Sequence, residues 1–287
     1  MSSLDRPQRV LVTGATGFIG GHVLDSLREA GFEAIGAVRK LDSSAIHDQV
    51  LLDLERPETI LALRSNDPFD AIVHFGAQVG FDGASQASMY LPNVVATGLL
   101  AAIAKEWDAH LIYASAAIVC GARSERIRDT VHACPDTDYA RTKYLGEILN
   151  AASGARYCNL RIGGVFGASG PSHLGLNRAI DGALRGEVPT LVGSGAALRN
   201  YVYVKDVADA VTFSLLNGIC GTHLLAGKDV LSVSQMLDEI CRVFLEGRSP
   251  VIEEGSDAKS QVIETSECML VGRSFSDALI DIRDAVN

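Results

Sequence analysis

Short, wholly apolar runs alternate with longer stretches of helical period through the first half of the chain. Val10–Val12 is one such run, closed by Thr13 and Gly14, and Phe18–Ala30 follows with helical spacing up to Gly31. The rhythm repeats, with strand-like runs at 33–38, 50–52, 71–75, 111–114 and 157–162. Between them lie a helical segment opened by Pro57 and two more at 94–107 and 139–152. Strands that are apolar throughout are buried on both faces, and strands alternating with helices build a parallel sheet. The pattern therefore predicts an α/β fold, a doubly wound parallel sheet. Beyond Gly167 the texture changes. Residues 167–200 are rich in glycine and turn signals, and a strand at 201–204, a helix at 206–216, a strand at 224–225 and a helix at 232–244 follow. This divides the chain into a first domain over 1–166 and a smaller, partly interleaved lobe over 167–287.

The 287 residues are 47% hydrophobic and 21% charged, enough for a large core and unlike a disordered, collagen-like or coiled-coil chain. Asp and Glu outnumber Lys and Arg by 35 to 25, a net charge of −10. Such a chain lacks the broad positive field of a nucleic-acid binder. No uninterrupted apolar run reaches the ~18 residues that span a bilayer, and Met1–Arg9 has no apolar leader core, so a cytoplasmic protein with no membrane partner is expected. Six cysteines (120, 134, 158, 220, 241, 268) lie far apart with no ligand spacing to one another or to the seven histidines. They read as buried thiols of a reducing compartment, with no metal site. Trp107 reads as helix packing.

Candidate chemistry begins at the first strand's end. Gly14, Gly17 and Gly20 stand three apart between a strand and a helix, in Thr13-Gly14-Ala15-Thr16-Gly17-Phe18-Ile19-Gly20. One glycine permits a tight turn, one lets the backbone approach a pyrophosphate, and one lets helix pack on strand, while the helix N-terminus faces the phosphates. The spacing is G-x-x-G-x-x-G, not G-x-G-x-x-G. An NAD site places an acid at the end of the second strand, whereas a 2′-phosphate favours arginine. Here Arg39 and Lys40 stand there, so NADP(H) is the expected cofactor, with NAD(H) the alternative.

Tyr139 and Lys143 form Y-x-x-x-K, which on a helix puts both side chains on one face. An ammonium beside a phenol favours the phenolate and makes the tyrosine a usable acid or base. Tyr201 and Lys205 repeat the spacing in a strand-like segment, where positions i and i+4 lie roughly 13 Å apart. Asp136-Thr137-Asp138 supplies a helix cap before the first copy, which is therefore the candidate.

Glycine turn and Y-x-x-x-K together resemble the extended short-chain dehydrogenase/reductase family, its nucleotide-sugar epimerase, dehydratase and reductase group. The resemblance runs from about Val10 to Phe244, through several stretches. Leu52-Asp53-Leu54 resembles the family's adenine-contacting D-[LV], and Val73-His74-Phe75-Gly76-Ala77 its V-H-x-A-A beside the cofactor. Asn93-Val94-Val95-Ala96-Thr97 is similar to N-V-x-G-T, whose Asn belongs to the catalytic set. Leu160–Gly167 resembles L-R-x-x-x-V-Y-G, placing Ile162, Gly163 and Val165 by the nicotinamide. Arg199–Val207 resembles R-D-[FW]-[VI]-[YH]-V-x-D-V, whose Arg lies near the substrate diphosphate.

The resemblance implies a Rossmann fold, a homodimer, and a reaction in which Tyr139 exchanges a proton with a carbinol while Lys143 holds the ribose. It implies Gln78 and Asn177 as further substrate contacts. The glycine-dense stretch Gly76–Gly83 reads equally as cleft lining or as a flexible loop. Two departures stand out. The family's S-[ST]-x-x-V-Y-G is here Ser115-Ala116-Ala117-Ile118-Val119-Cys120-Gly121, so Ala116 occupies the place of the hydroxyl that bonds the reacting carbonyl. Ser115 replaces it only if the strand register shifts, because neighbouring strand side chains face opposite ways. Loss of such a donor costs about 10²–10³ in rate. Ala117 and Ile118 replace the Asp-Glu pair of dehydratases, which argues against elimination. The expected activity is an NADP(H)-dependent 4-keto-sugar reductase. The alternatives are an NAD-dependent epimerase and a cofactor-binding protein with weak catalysis.

Overall fold

The computed structural model describes residues 8–42, 44, 47–80, 86–270 and 272–286. Five strands, β1 (Arg9–Thr13), β2 (Glu33–Val38), β3 (Gln49–Leu51), β4 (Ala71–His74) and β5 (His110–Ala116), join the strands Arg156–Ile162 and Gly221–Leu225 in one seven-stranded sheet. The order is β3-β2-β1-β4-β5, then Arg156–Ile162, then Gly221–Leu225. β1 pairs in parallel with both β2 and β4, so the chain reverses its direction of travel across the sheet between β1 and β4. In a doubly wound sheet that reversal opens a crevice at the carboxyl ends of the strands, where ligands bind.

The fully apolar strands have the predicted cause. Val10–Val12, Ile72 and Val73, and Leu111–Tyr113 are fully buried, and the core continues through Leu100, Ile103, Ile60 and Phe69. Phe69 packs tilted against Trp107, ring centres 5.7 Å apart, the packing role expected of that tryptophan.

The helices are α1 (Phe18–Glu29), α2 (Pro57–Leu61), α3 (Gln86–Tyr90), α4 (Ala96–Glu106), α5 (Asp138–Ala152), α6 (Gly175–Leu184), α7 (Val204–Leu216), α8 (Val233–Phe244) and α9 (Phe275–Val286). Two of them fall where no helix was expected. α6 lies in the glycine-rich stretch, yet Leu176, Ile180 and Ala183 form its buried stripe. α9 buries Phe275, Ala278, Leu279 and Ile282, an i, i+3, i+4, i+7 pattern.

The helix expected from residue 94 begins earlier. α3 and α4 are joined by a π-turn at Leu91–Val95, whose wider winding accommodates Pro92, a residue that lacks the N–H an α-helix needs there. The resulting helix Ala87–Glu106 is long and apolar enough to cross a membrane. This corrects the reading from uninterrupted runs. Its apolarity has a local use, because Ala96, Leu100, Ala101, Ile103 and Ala104 are core residues.

The cysteines also need correction: Cys120, Cys158 and Cys241 are buried, but Cys134, Cys220 and Cys268 are exposed, and none of the six is in a disulfide. Residues 1–7, read for a leader, and 81–83 of the glycine-dense stretch lie outside the described residues.

The chain forms two compact units. The first holds residues up to 122, 133–161 and 207–223; the second holds 123–132, 162–206 and 224–287. Most of α7, from Val207 onward, belongs to the first unit, and a ten-residue excursion, 123–132, belongs to the second.

Candidate active site

The first unit carries the glycine turn. Gly14 has a φ of +71°, a left-handed conformation that favours glycine, and a Cβ there would lie 2.7 Å from the Gly76 nitrogen. A Cβ on Gly20 would collide with the Gly14 carbonyl, and one on Gly17 would sit 3.1 Å from it. Gly76 in turn packs on Leu54, where a Cβ would meet the side chain at 2.7 Å. The ends of β1 and β4 therefore touch backbone to backbone at the sheet's reversal point.

α1 is capped by Gly17, which offers no capping side chain, and its first turn has no acidic residue. Its N–H groups and positive dipole end are left for an anion, so the residues present fit a dinucleotide's pyrophosphate. Thr16 and Gly17 are exposed at this end, and Phe18 and Ile19 are half-buried. Beside the turn is a cavity of about 410 Å³, walled by Ala15, Thr16, Gly36, Val38, His47 and Asp48 among others. Arg39 and Lys40 lie exposed just past β2. Asp53 is half-buried after β3, its carboxylate accepting from the Glu55 N–H at 3.0 Å. Phe75 and Ala77 are half-buried beyond β4. His47 and Asp48 escaped the sequence reading because they belong to no motif; only the fold brings them to this wall.

α5 presents the candidate acid. The Thr137 hydroxyl caps the helix by accepting from the Ala140 N–H at 3.2 Å. Tyr139, Lys143 and Glu147 then follow on one stripe. The Lys143 ammonium donates to the Ala114 carbonyl at 2.8 Å and sits 5.7 Å from the Tyr139 ring centre. Burial pushes the Tyr139 phenol up to about 12 and the Lys143 amine down to about 7, the latter opposed by the Glu147 carboxylate. In this site burial outweighs the pull of the lysine, and the phenol stays protonated at neutral pH.

Glu147 was missed, although a carboxylate one turn beyond Lys143 on the same face is a readable signal. It is buried and accepts two bonds from Arg161, at 3.0 and 2.8 Å, and one from the Ser115 hydroxyl at 2.5 Å. Ser115 is itself buried, with its proton committed to Glu147, while neighbouring Ala116 is partly exposed at the end of β5. Gly146 lets α5 close onto β5, since any Cβ there would strike Tyr113.

Asn93, in the π-turn, is buried. Its side-chain oxygen accepts from the Gln78 N–H at 2.7 Å, and its amide nitrogen donates to the Gln78 carbonyl and the Thr142 hydroxyl, at 2.8 and 3.0 Å. Gln78 is thereby held through its backbone and is half-buried.

The remaining predicted residues belong to the second unit. Ile162 is buried and Gly163 donates its N–H to the Leu225 carbonyl at 2.9 Å. Val165 pairs with Val202 in a short parallel ladder. Arg199, half-buried in the strand Leu198–Arg199, donates to the Leu198 carbonyl at 2.8 Å. Asn177 is fully buried in α6, its side chain accepting from Gly167 and donating to the Val165 and Pro171 carbonyls. The second Y-x-x-x-K is not strand-like throughout: Lys205 lies in α7 and pairs with Asp281 at 2.8 Å.

Comparison with known proteins places this arrangement. The model of the NAD-dependent epimerase/dehydratase family matches residues 10–227. The chain belongs to that family, within the extended short-chain dehydrogenases/reductases. Among its relatives, UDP-glucose 4-epimerase of Azospirillum brasilense is 30% identical over 238 residues, covering 73% of this chain and 68% of that one. dTDP-4-dehydrorhamnose reductase of Burkholderia thailandensis is 30% identical over 169 residues, covering 58% of this chain and about half, 53%, of that one. In fold, the chain is similar to Thermus thermophilus UDP-glucose 4-epimerase, crystallised with NAD. The TM-score is 0.79 at 22% identity, over 96% of this chain and 98% of that one.

Proposed function

We propose that this family member is an NADP(H)-dependent reductase of a keto-sugar carried on a nucleoside diphosphate, with Tyr139 as proton donor. The carrying observation is the end of β2. Arg39 and Lys40 stand where a carboxylate would hold the ribose diol of NAD, and a guanidinium suits a 2′-phosphate. The cofactor, when bound, supplies hydride to a carbonyl carbon.

This chain's residues supply the rest. Gly14, Gly17 and Gly20 leave room for the pyrophosphate, and Lys143 stands ready for the ribose. A phenol held near 12 is protonated at neutral pH, so Tyr139 is set to give its proton to the carbonyl oxygen as charge develops there. Lys143 favours the phenolate that results. Ser115 is engaged by Glu147 and Ala116 has no hydroxyl, so Tyr139 carries the carbonyl without a partner from β5. Ala117 and Ile118 offer no proton shuttle for elimination. Arg199 supports a diphosphate-bearing substrate, and Gln78 is a further candidate substrate contact.

A second reading, an epimerase that keeps its NAD, is favoured by Asp48 on the cavity wall and by the epimerase relative. Identifying any nucleotide released on denaturation, then titrating with NADPH and NADH, separates the two. Arg39→Ala is expected to weaken NADPH by about 10–100-fold and NADH less than about twofold, the worth of one or two charge-assisted bonds. Equal losses, or release of tightly held NAD, favour the epimerase.

We also infer a homodimer through the outer face of α5, where Leu145 and Ile148 are exposed. Light scattering should give twice the monomer mass, and Ile148→Arg should halve it. A wild-type monomer at micromolar concentration sinks this inference.

A further inference from the structure

We infer that His74 is a positioning residue: a neutral imidazole that ties the turn holding the dinucleotide to the segment bearing Tyr139. His74 ends β4 and is fully buried. Its Nδ1 lies 2.6 Å from the hydroxyl of Thr13, the last residue of β1, and its Nε2 lies 3.0 Å from the hydroxyl of Thr97 in α4.

The directions of these bonds are assigned from the Thr97 end. The Thr97 hydroxyl donates its one proton to the Asn93 carbonyl at 2.7 Å, so it accepts from Nε2–H. A neutral ring protonated at Nε2 leaves Nδ1 as an acceptor, and Thr13 supplies the proton. The Thr13 oxygen meanwhile accepts the Gly76 N–H at 3.1 Å. Burial and the nearby Lys143 charge push the imidazole down to about 3, which keeps it neutral.

The chain does not stop at Asn93. The Asn93 amide donates to the Thr142 hydroxyl, which donates to the Tyr139 carbonyl at 2.8 Å. One end of the relay is thus Gly76, the residue on which Gly14 closes, and the other is the backbone of the candidate acid. An apolar side chain would fill the same space without needing two hydroxyl partners. What histidine adds is two opposed nitrogens that join β1 to α4 across β4. Seating of the dinucleotide and placement of Tyr139 then share one rigid element. The bond network stands without the proposed function; the catalytic meaning rests on Tyr139 being the acid.

The test is a double-mutant cycle between the far end of the relay and its middle. The readouts are hydrogen exchange of the Gly76 amide in nucleotide-free protein and the NADPH dissociation constant. Thr142→Val, five hydrogen bonds from Gly76 along the relay, should speed Gly76 exchange and weaken NADPH by about three- to tenfold each, and Thr142→Ser should restore both. In a His74→Phe background the same Thr142→Val should change neither by more than about twofold. If His74→Phe does not fold, Thr97→Val cuts the same link and replaces it. Unchanged Gly76 exchange in Thr142→Val, or an equal change with and without His74, overturns the inference. Failure of the wild type to bind NADPH would defeat the proposed function instead, and Gly76 exchange would still decide this one.

Discussion

Tyr139→Phe should lower single-turnover reduction of a keto-sugar nucleotide by about 10²–10⁴-fold, the range for losing a positioned general acid. NADPH affinity should change less than about threefold, because the ring that packs in the site is kept. The large loss follows from the vicinity of β5. Ser115 gives its proton to Glu147, and Ala116 has none to give, so no hydroxyl from that strand shares the work. The pH profile adds a sign. The Lys143 ammonium favours the tyrosinate formed when the proton leaves, and burial brings its pKa down to about 7. The ammonium is present below that pH and lost above it, so reduction should fall as pH rises through about 7. Glu147→Gln removes the charge that holds this pKa up, so the fall should begin at lower pH. A rate that climbs steadily to pH 9 would mean that tyrosinate is the active form, contrary to a proton-donating role.

Glu147→Ala should cost about 3–5 kcal/mol of folding stability, read from urea melts with unchanged slope. The carboxylate is buried and accepts from both Arg161 and Ser115. Its removal strands a guanidinium that is only 14% exposed and leaves a buried hydroxyl without its acceptor. Against a usual total of about 5–15 kcal/mol, that is a large fraction. Arg161→Ala should cost a similar amount, and the double variant less than the sum, because each single change leaves the other charge unpaired. A Glu147→Met, Arg161→Met pair should fall within about 1–2 kcal/mol of wild type, since apolar groups can replace a buried ion pair. A loss below about 1 kcal/mol in Glu147→Ala would show that the triad is solvated and not the support drawn here.

The parallel sheet was legible because its strands announce themselves: Val10–Val12 and Ile72–Val73 are apolar on both faces, and only a covered parallel sheet buries both. Gly14, Gly17 and Gly20 were legible for a related reason, since the closeness of Gly14 to Gly76 and of Gly20 to Gly14 excludes any Cβ. The helix start was misplaced at residue 94 because Pro92 reads as a breaker, and a π-turn is invisible to a 3.6-residue period. α6 was hidden by Gly175 and Gly182, whose turn propensity outweighed its apolar stripe. The whole of α9 shows a clean helical period that went unassigned.

By itself, the order of residues determined the doubly wound sheet, the dinucleotide turn and the pairing of Tyr139 with Lys143, because each depends on local spacing set by backbone geometry. Tertiary structure alone decided how the site is supported. Ser115 meets Glu147 across 32 positions, Thr13 meets His74 across 61, and Arg161 closes the triad from another strand. It also decided the protonation states, since burial and not sequence neighbourhood sets Tyr139 near 12 and Lys143 near 7. Such contacts have no period to read. They exist only once the sheet order has brought the ends of β1 and β4 together and set β5 beside α5.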